Sequence, residues 1–270
     1  VISISLKGVD SNSYEGAYKL LVQSICDEVE RFQFLIESNE LTQIDKKRYF
    51  ELIDRKMEAD TLAVSLKGLT LLLEKHYHQK VVVLIDEYDV PLAKAYENGY
   101  YDEMILLIRN LFGNVLKTND SLAFAVLTGC LRIAKESIFT GLNNFKVYSI
   151  TDDEFDETFG FTNKEVMEML QYYGLSDRFD EVKEWYDGYR FGNADVYCAW
   201  DVVNYCRDHC KNPNAELKNY WMNTSGNEII NHFVDSLNQP GMLAKRELER
   251  LVNGETVVKR VDEMITYKEL

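Results

Sequence analysis

The nine residues Val81–Asp89, VVVLIDEYD, decide the fold of this chain. Five consecutive large apolar residues, four of them β-branched, read as a strand buried on both faces. Such strands belong to parallel sheets flanked by helices. Working outward, Leu122–Leu127 (LAFAVL) reads as a second buried strand that ends in Thr128-Gly129. Val147–Ile150 is expected as a short third one. Val1–Leu6 (VISISL) alternates apolar and polar residues, which suits a half-buried strand. Between these lie stretches of helical period. From Tyr14 to Ile36 the apolar positions Ala17, Leu20, Leu21, Ile25, Val29, Phe32 and Ile36 recur at helical spacing. Asn39–Met57 is a charged helical stretch. Leu62–Tyr77 puts Leu62, Leu66, Leu69, Leu72 and Leu73 on one side, and Tyr101–Leu116 is helical again. Strands alternating with helices predict an α/β fold.

After Ile150 the texture changes. Thr151–Glu157 (TDDEFDE) is an acidic stretch. Helices are expected over 163–173, 179–185, 200–209, 227–237 and 243–251. Thr162 and Glu165 form a capping-box pattern ahead of the first of these. Gly188–Gly192 (GYRFG) reads as a turn with aromatic flanks, and Val196-Tyr197 as a short strand. The expected division is therefore 1–151 and 152–270, an α/β core followed by a small, mainly helical part.

Composition narrows the function classes. The chain has 270 residues, 46% of them hydrophobic, which excludes a disordered chain. Thirty Lys and Arg against 45 Asp and Glu give a net charge of −15, which argues against a chain-wide surface for nucleic acid. No apolar run approaches the ~18 residues of a membrane span. Five cysteines without framework spacing, and no signal-like start, fit a reducing, cytoplasmic compartment. The first residue is Val1 rather than Met, and Leu270 ends inside a plausible element. A piece of a longer protein is the expectation.

The chemistry concentrates where VVVLI stops. In open α/β sheets ligands bind at the carboxyl ends of the strands. Asp86 stands there as a carboxylate able to hold a hydrated Mg²⁺ that bridges nucleotide phosphates. Glu87 beside it can polarise an attacking water. Helix capping by the same two acids is the structural alternative. In a parallel sheet the end of the next strand, Thr128, would lie beside Asp86, where a hydroxyl can orient that water. Arg132 and Lys135 follow as cations for a phosphate, or as solvated charges on a surface turn. Elsewhere, Cys206, His209 and Cys210 share a helix face but lack a fourth ligand for zinc. His76 and His78 are two apart, which favours opposite sides of a helix. Trp185, Tyr186, Tyr189 and Phe191 lack the basic cluster that base stacking calls for, and read as an aromatic core under a hairpin.

Three strings, LIDEYDVPL (Leu84–Leu92), LTGCLRIAKESIFTGLNNF (Leu127–Phe145) and WYDGYRFG (Trp185–Gly192), resemble the bacterial AAA-ATPase-like family, as does YWMNTSGN (Tyr220–Asn227). The resemblance spans nearly the whole chain. It implies a P-loop NTPase-like parallel sheet of the ASCE type, followed over 152–270 by a helical, winged-helix-like lid, with ATP and Mg²⁺ as cofactors. It makes Asp86 the metal-side carboxylate, Glu87 the general base and Thr128 the sensor residue. Arg132 becomes a phosphate or inter-subunit contact, with Lys135 beside it. It also implies a phosphate-binding loop upstream and, in many members, a PD-(D/E)XK nuclease-like domain downstream. Two departures stand out. Tyr197-Cys198-Ala199-Trp200-Asp201 replaces the family's Tyr-Asn-Pro-Trp-Ser, which removes a helix cap worth about 1 kcal/mol. No G-x-x-x-x-G-K-[ST] occurs anywhere in the chain. The expected function is thus part of an ATPase that controls an attached effector, with the piece itself inactive. With the phosphate-binding strand missing, Leu122–Leu127 would have an open edge, which invites self-association. A non-catalytic scaffold derived from the same fold is the rival. A nuclease using Asp86, Glu87 and Asp89 directly is a third possibility.

Overall fold

The computed structural model describes residues 1–130, 145–221 and 242–258. These fall into two compact units, divided between residues 144 and 145. Arg132, Lys135 and the helix expected over 227–237 lie outside the described residues.

The first unit is α/β. Strand β1 (Ile2–Ser5), β2 (Val81–Asp86) and β3 (Leu122–Leu127) form a parallel sheet in the order β1-β2-β3. Helices α1 (Tyr14–Glu30), α2 (Gln43–Leu52), α3 (Ala59–Tyr77), α4 (Val90–Glu97) and α5 (Tyr101–Leu116) accompany it. The five leucines of α3 expected on one side are all buried, and Ile25 and Val29 of α1 join them in the core. Ser13 caps α1 by accepting from the Gly16 amide, and Thr42 with Asp45 closes a capping box on α2.

The register assigns the two faces of the sheet. Ile2 pairs with Val83, Ile4 with Ile85, Val83 with Ala125 and Ile85 with Leu127. Paired residues share a face, and on this one Ile2, Ile4, Val83 and Ile85 are buried. On the other face stand Ser3, Ser5, Val82, Leu84, Phe124 and Val126. Phe124 is 57% exposed and Val126 45%. The expectation that VVVLI is buried on both faces is therefore corrected. One face is covered by helices and the other is open, polar toward β1 and apolar toward β3.

The two edges also differ. At β1, the Ser3 amide donates to the Glu28 carboxylate at 2.7 Å, and Glu28 is itself 5% exposed. A buried side chain thus stands in for a strand. Among the described residues β3 pairs with β2 alone.

The second unit is helix-rich with a small antiparallel sheet. Its order is β4 (Phe161–Thr162), α6 (Asn163–Tyr172), α7 (Phe179–Tyr186), β5 (Asp187–Phe191), β6 (Ala194–Tyr197) and α8 (Ala199–Lys211), with α9 (Met242–Val252) later. The sheet runs β4-β6-β5. The capping box of Thr162 and Glu165 opens α6 as expected. GYRFG is a strand rather than a turn. The reversal falls on Gly192-Asn193, where Gly192 has φ +48° and an added Cβ would lie 2.5 Å from the Asp152 carbonyl oxygen. Of the aromatic string, Tyr186 enters the core, while Trp185 and Tyr189 are half exposed.

Val147–Ile150 is not a strand. The Ser149 amide donates to the Asp152 carboxylate at 2.7 Å and the Asp152 amide donates to the Ser149 carbonyl at 3.1 Å. That local turn outcompetes strand pairing. At α8 the missing family cap is visible, since Cys198 makes no side-chain cap. Asp201, in the first turn of α8, is buried and accepts from the Trp221 amide at 2.9 Å. Among the described residues no helix is long and apolar enough to cross a membrane.

Candidate functional site

The carboxyl ends of β2 and β3 lie side by side because Ile85 pairs with Leu127 in parallel. The residue after each of these carries a polar side chain, so Asp86 and Thr128 meet. The Thr128 hydroxyl donates a short hydrogen bond to Asp86 Oδ1. The backbone fixes this contact on both sides. The Thr128 amide donates to the Ile85 carbonyl at 2.9 Å, and the Tyr88 amide donates to the Thr128 carbonyl at 3.1 Å.

Glu87 follows with φ +52°, a left-handed conformation that L residues other than Asn and Asp rarely adopt. Its carbonyl accepts from the Val90 amide at 3.2 Å, which closes the turn into α4. Asp86 and Thr128 are exposed and Glu87 is partly exposed, whereas Tyr88 and Asp89 are buried. The chain therefore presents two acids and a hydroxyl to solvent from a buried base. Asp86 and Glu87 have not been consumed as helix caps, because the N-cap of α4 is Asp89 and it makes no side-chain cap.

Asp89 and Gly129 are the residues that sequence reasoning undervalued. Asp89 Oδ2 accepts from the Cys130 amide at 2.9 Å. A Cβ on Gly129 would lie 2.6 Å from Asp89 Oδ1 and 2.8 Å from the Tyr88 ring. Glycine is needed there for close approach. The Cys130 sulfur is partly desolvated although the residue is exposed. That burial, with the charges of Asp89 and Glu87, pushes its thiol up, away from a reactive thiolate.

Among the described residues no group of three or more His, Cys, Asp or Glu is placed to hold a metal ion. A Mg²⁺ carried by one or two carboxylates plus substrate phosphates needs no such group, so Asp86 fits that mode. The zinc candidate on α8 is disfavoured by its own hydrogen bonds. His209 is buried, with Nδ1 3.0 Å from the Tyr205 carbonyl and Nε2 3.1 Å from the Ala215 carbonyl. His76 Nδ1 is paired with the Ser38 hydroxyl at 2.8 Å, and His78 Nε2 with Glu40 at 3.2 Å. A cleft lined by Phe32, Leu73, Tyr77 and Val81 lies at the opposite end of β2 from the carboxylates.

Residues 1–139 match the sequence pattern of a family described as Predicted AAA-ATPase. An uncharacterized protein encoded in the vnfD 5′ region of Azotobacter chroococcum mcd 1 is 30% identical over 157 residues. The match covers 54% of this chain and 27% of that relative, so the chain spans about a quarter of the relative's length. No solved structure matches. The family match includes the whole described parallel sheet and every described residue of the carboxylate–hydroxyl site, and covers more than half of the 270 residues. On that ground the chain belongs to the predicted AAA-ATPase family.

Proposed function

We propose that this chain is the part of an ATPase core that supplies the metal-side carboxylate, the general base and the sensor hydroxyl. The intact, cytoplasmic protein binds and hydrolyses ATP to control an attached effector, for which a nuclease-like domain is the leading candidate. The observation that carries this is the hydrogen bond from Thr128 to Asp86 across the ends of adjacent parallel strands. Thr128 holds the Asp86 carboxylate in one orientation. Asp86 would hold Mg²⁺, which would supply the positive charge that neutralises nucleotide phosphates. Glu87, beside it on the same turn, accepts the proton of the attacking water. Arg132 and Lys135, outside the described residues, remain the candidates for phosphate contacts.

The sheet supports the same assignment. An ASCE core sets its phosphate-binding strand against the sensor strand, and β3 has the edge and the apolar face to receive it. Residues 1–151 then form the partial core and 152–270 the lid. In the lid, the order β4-β6-β5 with α6 and α7 ahead of the β5–β6 hairpin supports a winged-helix arrangement. Helix α7 carries Asp180, Glu181 and Glu184 against Lys183, an acidic surface unsuited to nucleic acid.

The test is MgATPase activity of the full-length protein beside Glu87→Gln. Loss of a general base lowers turnover by about 100-fold or more. Unchanged turnover in the variant removes Glu87 from the mechanism.

A further inference from the structure

We propose that Asp89 is a positioning residue for this site, a buried latch that fixes the Thr128–Cys130 segment against the turn bearing Asp86 and Glu87. The inference rests on the ATPase assignment above and deepens it. An aspartate at a helix N-cap ordinarily accepts from the first free amides of its own helix. Asp89 occupies that place on α4 yet makes no such bond. Its Oδ2 instead accepts from the Cys130 amide, 41 residues away in sequence. The carboxylate is 4% exposed, so this bond is shielded from water.

The geometry shows what the latch would control. Thr128 is tied through its amide to Ile85 and through its carbonyl to Tyr88. Asp89 adds a third tie two residues further on. Gly129, between them, leaves room for no side chain against Asp89 and Tyr88. The segment is thereby pressed onto the carboxylate turn, and the Thr128 hydroxyl is held on Asp86. Asp89 touches neither Asp86 nor Glu87 through any of these bonds and acts through the backbone of its neighbours. Displacement of a positioned group by about 1 Å can cost about 100-fold in rate, so loosening this segment has a large lever on turnover.

The test uses the full-length protein with Asp89→Ala, Asp89→Asn and Glu87→Gln. Asparagine keeps an amide oxygen able to accept from Cys130, and alanine does not. Asp89→Ala is expected to lower kcat by about 10- to 100-fold while KM for MgATP stays within about 3-fold. Asp89→Asn is expected to retain kcat within about 3-fold of wild type, since it keeps the acceptor. A residue that only stabilised the fold would lower the active fraction without this rescue pattern at equal folded concentration. Amide exchange is read on the same proteins. Exchange of residues 128–130 should speed up at least 10-fold in Asp89→Ala but not in Asp89→Asn. Wild-type kcat in Asp89→Ala, or unchanged exchange there, overturns the latch. Absence of MgATP turnover in the wild-type protein overturns the ATPase assignment and the inference with it. That outcome is distinct from the one in which Glu87→Gln abolishes turnover and Asp89→Ala leaves it intact.

Discussion

Replacing Glu87 with glycine should make the chain more stable. Glu87 has φ +52°. Holding an L residue in the left-handed region costs about 1–2 kcal/mol because Cβ crowds the following carbonyl. Glycine removes that crowding but brings about 0.5–1 kcal/mol of extra unfolded-chain entropy. The net expectation for Glu87→Gly is a gain of about 0.5–1 kcal/mol. Glu87→Ala keeps the Cβ and therefore the strain, so it serves as the reference. The Gly variant should exceed the Ala variant by about 0.5–1 kcal/mol, a factor of roughly 2–5 in the folding equilibrium. Urea unfolding of the 270-residue chain, followed by far-UV circular dichroism at unchanged m-value, measures it. A second substitution controls for backbone origin. His78 closes α3 in the same left-handed conformation, with φ +53°. His78→Gly should gain a similar amount without touching the site. If Glu87→Gly is no more stable than Glu87→Ala while His78→Gly gains, the turn at 87 is not strained. A chain needing only this turn would be better served by glycine, so strain there supports the role proposed for the Glu87 carboxylate.

Two further outcomes test other parts of the structure. Residues 1–270 alone contain no phosphate-binding loop sequence, so calorimetry should find MgATP binding weaker than the micromolar range, and micromolar affinity would refute the partial-core assignment. Asp45 gives a pH-dependent prediction. Burial alone would raise its carboxyl, but hydrogen bonds from Lys75 and Thr42 outweigh burial and hold it below the usual aspartate range. A depressed value stabilises the fold above the unfolded pKa and loses that contribution as pH falls through the folded one. Asp45→Asn should therefore cost about 1–2 kcal/mol at pH 7, and the gap to wild type should narrow below about pH 4. A pH-independent gap, measured by urea unfolding from pH 7 to pH 3, would show that the charge is irrelevant.

The strands of the core were legible because VVVLI and LAFAVL are short apolar runs rich in β-branched residues or bounded by polar ones. The leucine side of α3 and the capping box of α6 were legible because both are local spacings. Helix α4 escapes such a reading. It has eight residues, too few for a periodic signal, and Pro91 sits in its first turn. The failed strand at 147–150 and the missed strand at GYRFG share a cause. Both turn on nearby partners that an apolar pattern does not report, since β5 pairs with β6 across Gly192-Asn193 and Ser149 bonds to its own Asp152. At the site, Asp86, Glu87 and Thr128 were legible as polar residues ending apolar runs. Asp89 was legible only as a third acid beside them, because its acceptor role toward the Cys130 amide exists only in three dimensions.

The asymmetry of the sheet bears on how the site is completed. The outer edge of β1 is closed by a buried carboxylate, at the cost of desolvating Glu28, and Arg31 offsets part of that cost with an ion pair at 2.7 Å. A buried carboxylate on the Ser3 amide takes up a donor that another strand would need there. The edge of β3 carries no such device among the described residues, and its open face is apolar at Phe124 and Val126. Protection placed on one edge and absent from the other gives the sheet a direction of growth. It also locates the functional ends. A parallel strand added beside β3 would bring its carboxyl end next to Thr128, one strand away from Asp86. A phosphate-binding turn at that end would face both the hydroxyl and the acids. The β3 edge, unpaired among the described residues, and the carboxylate–hydroxyl pair would thus be two parts of the proposed arrangement, because a strand that covers the first would bring a phosphate-binding turn to the second.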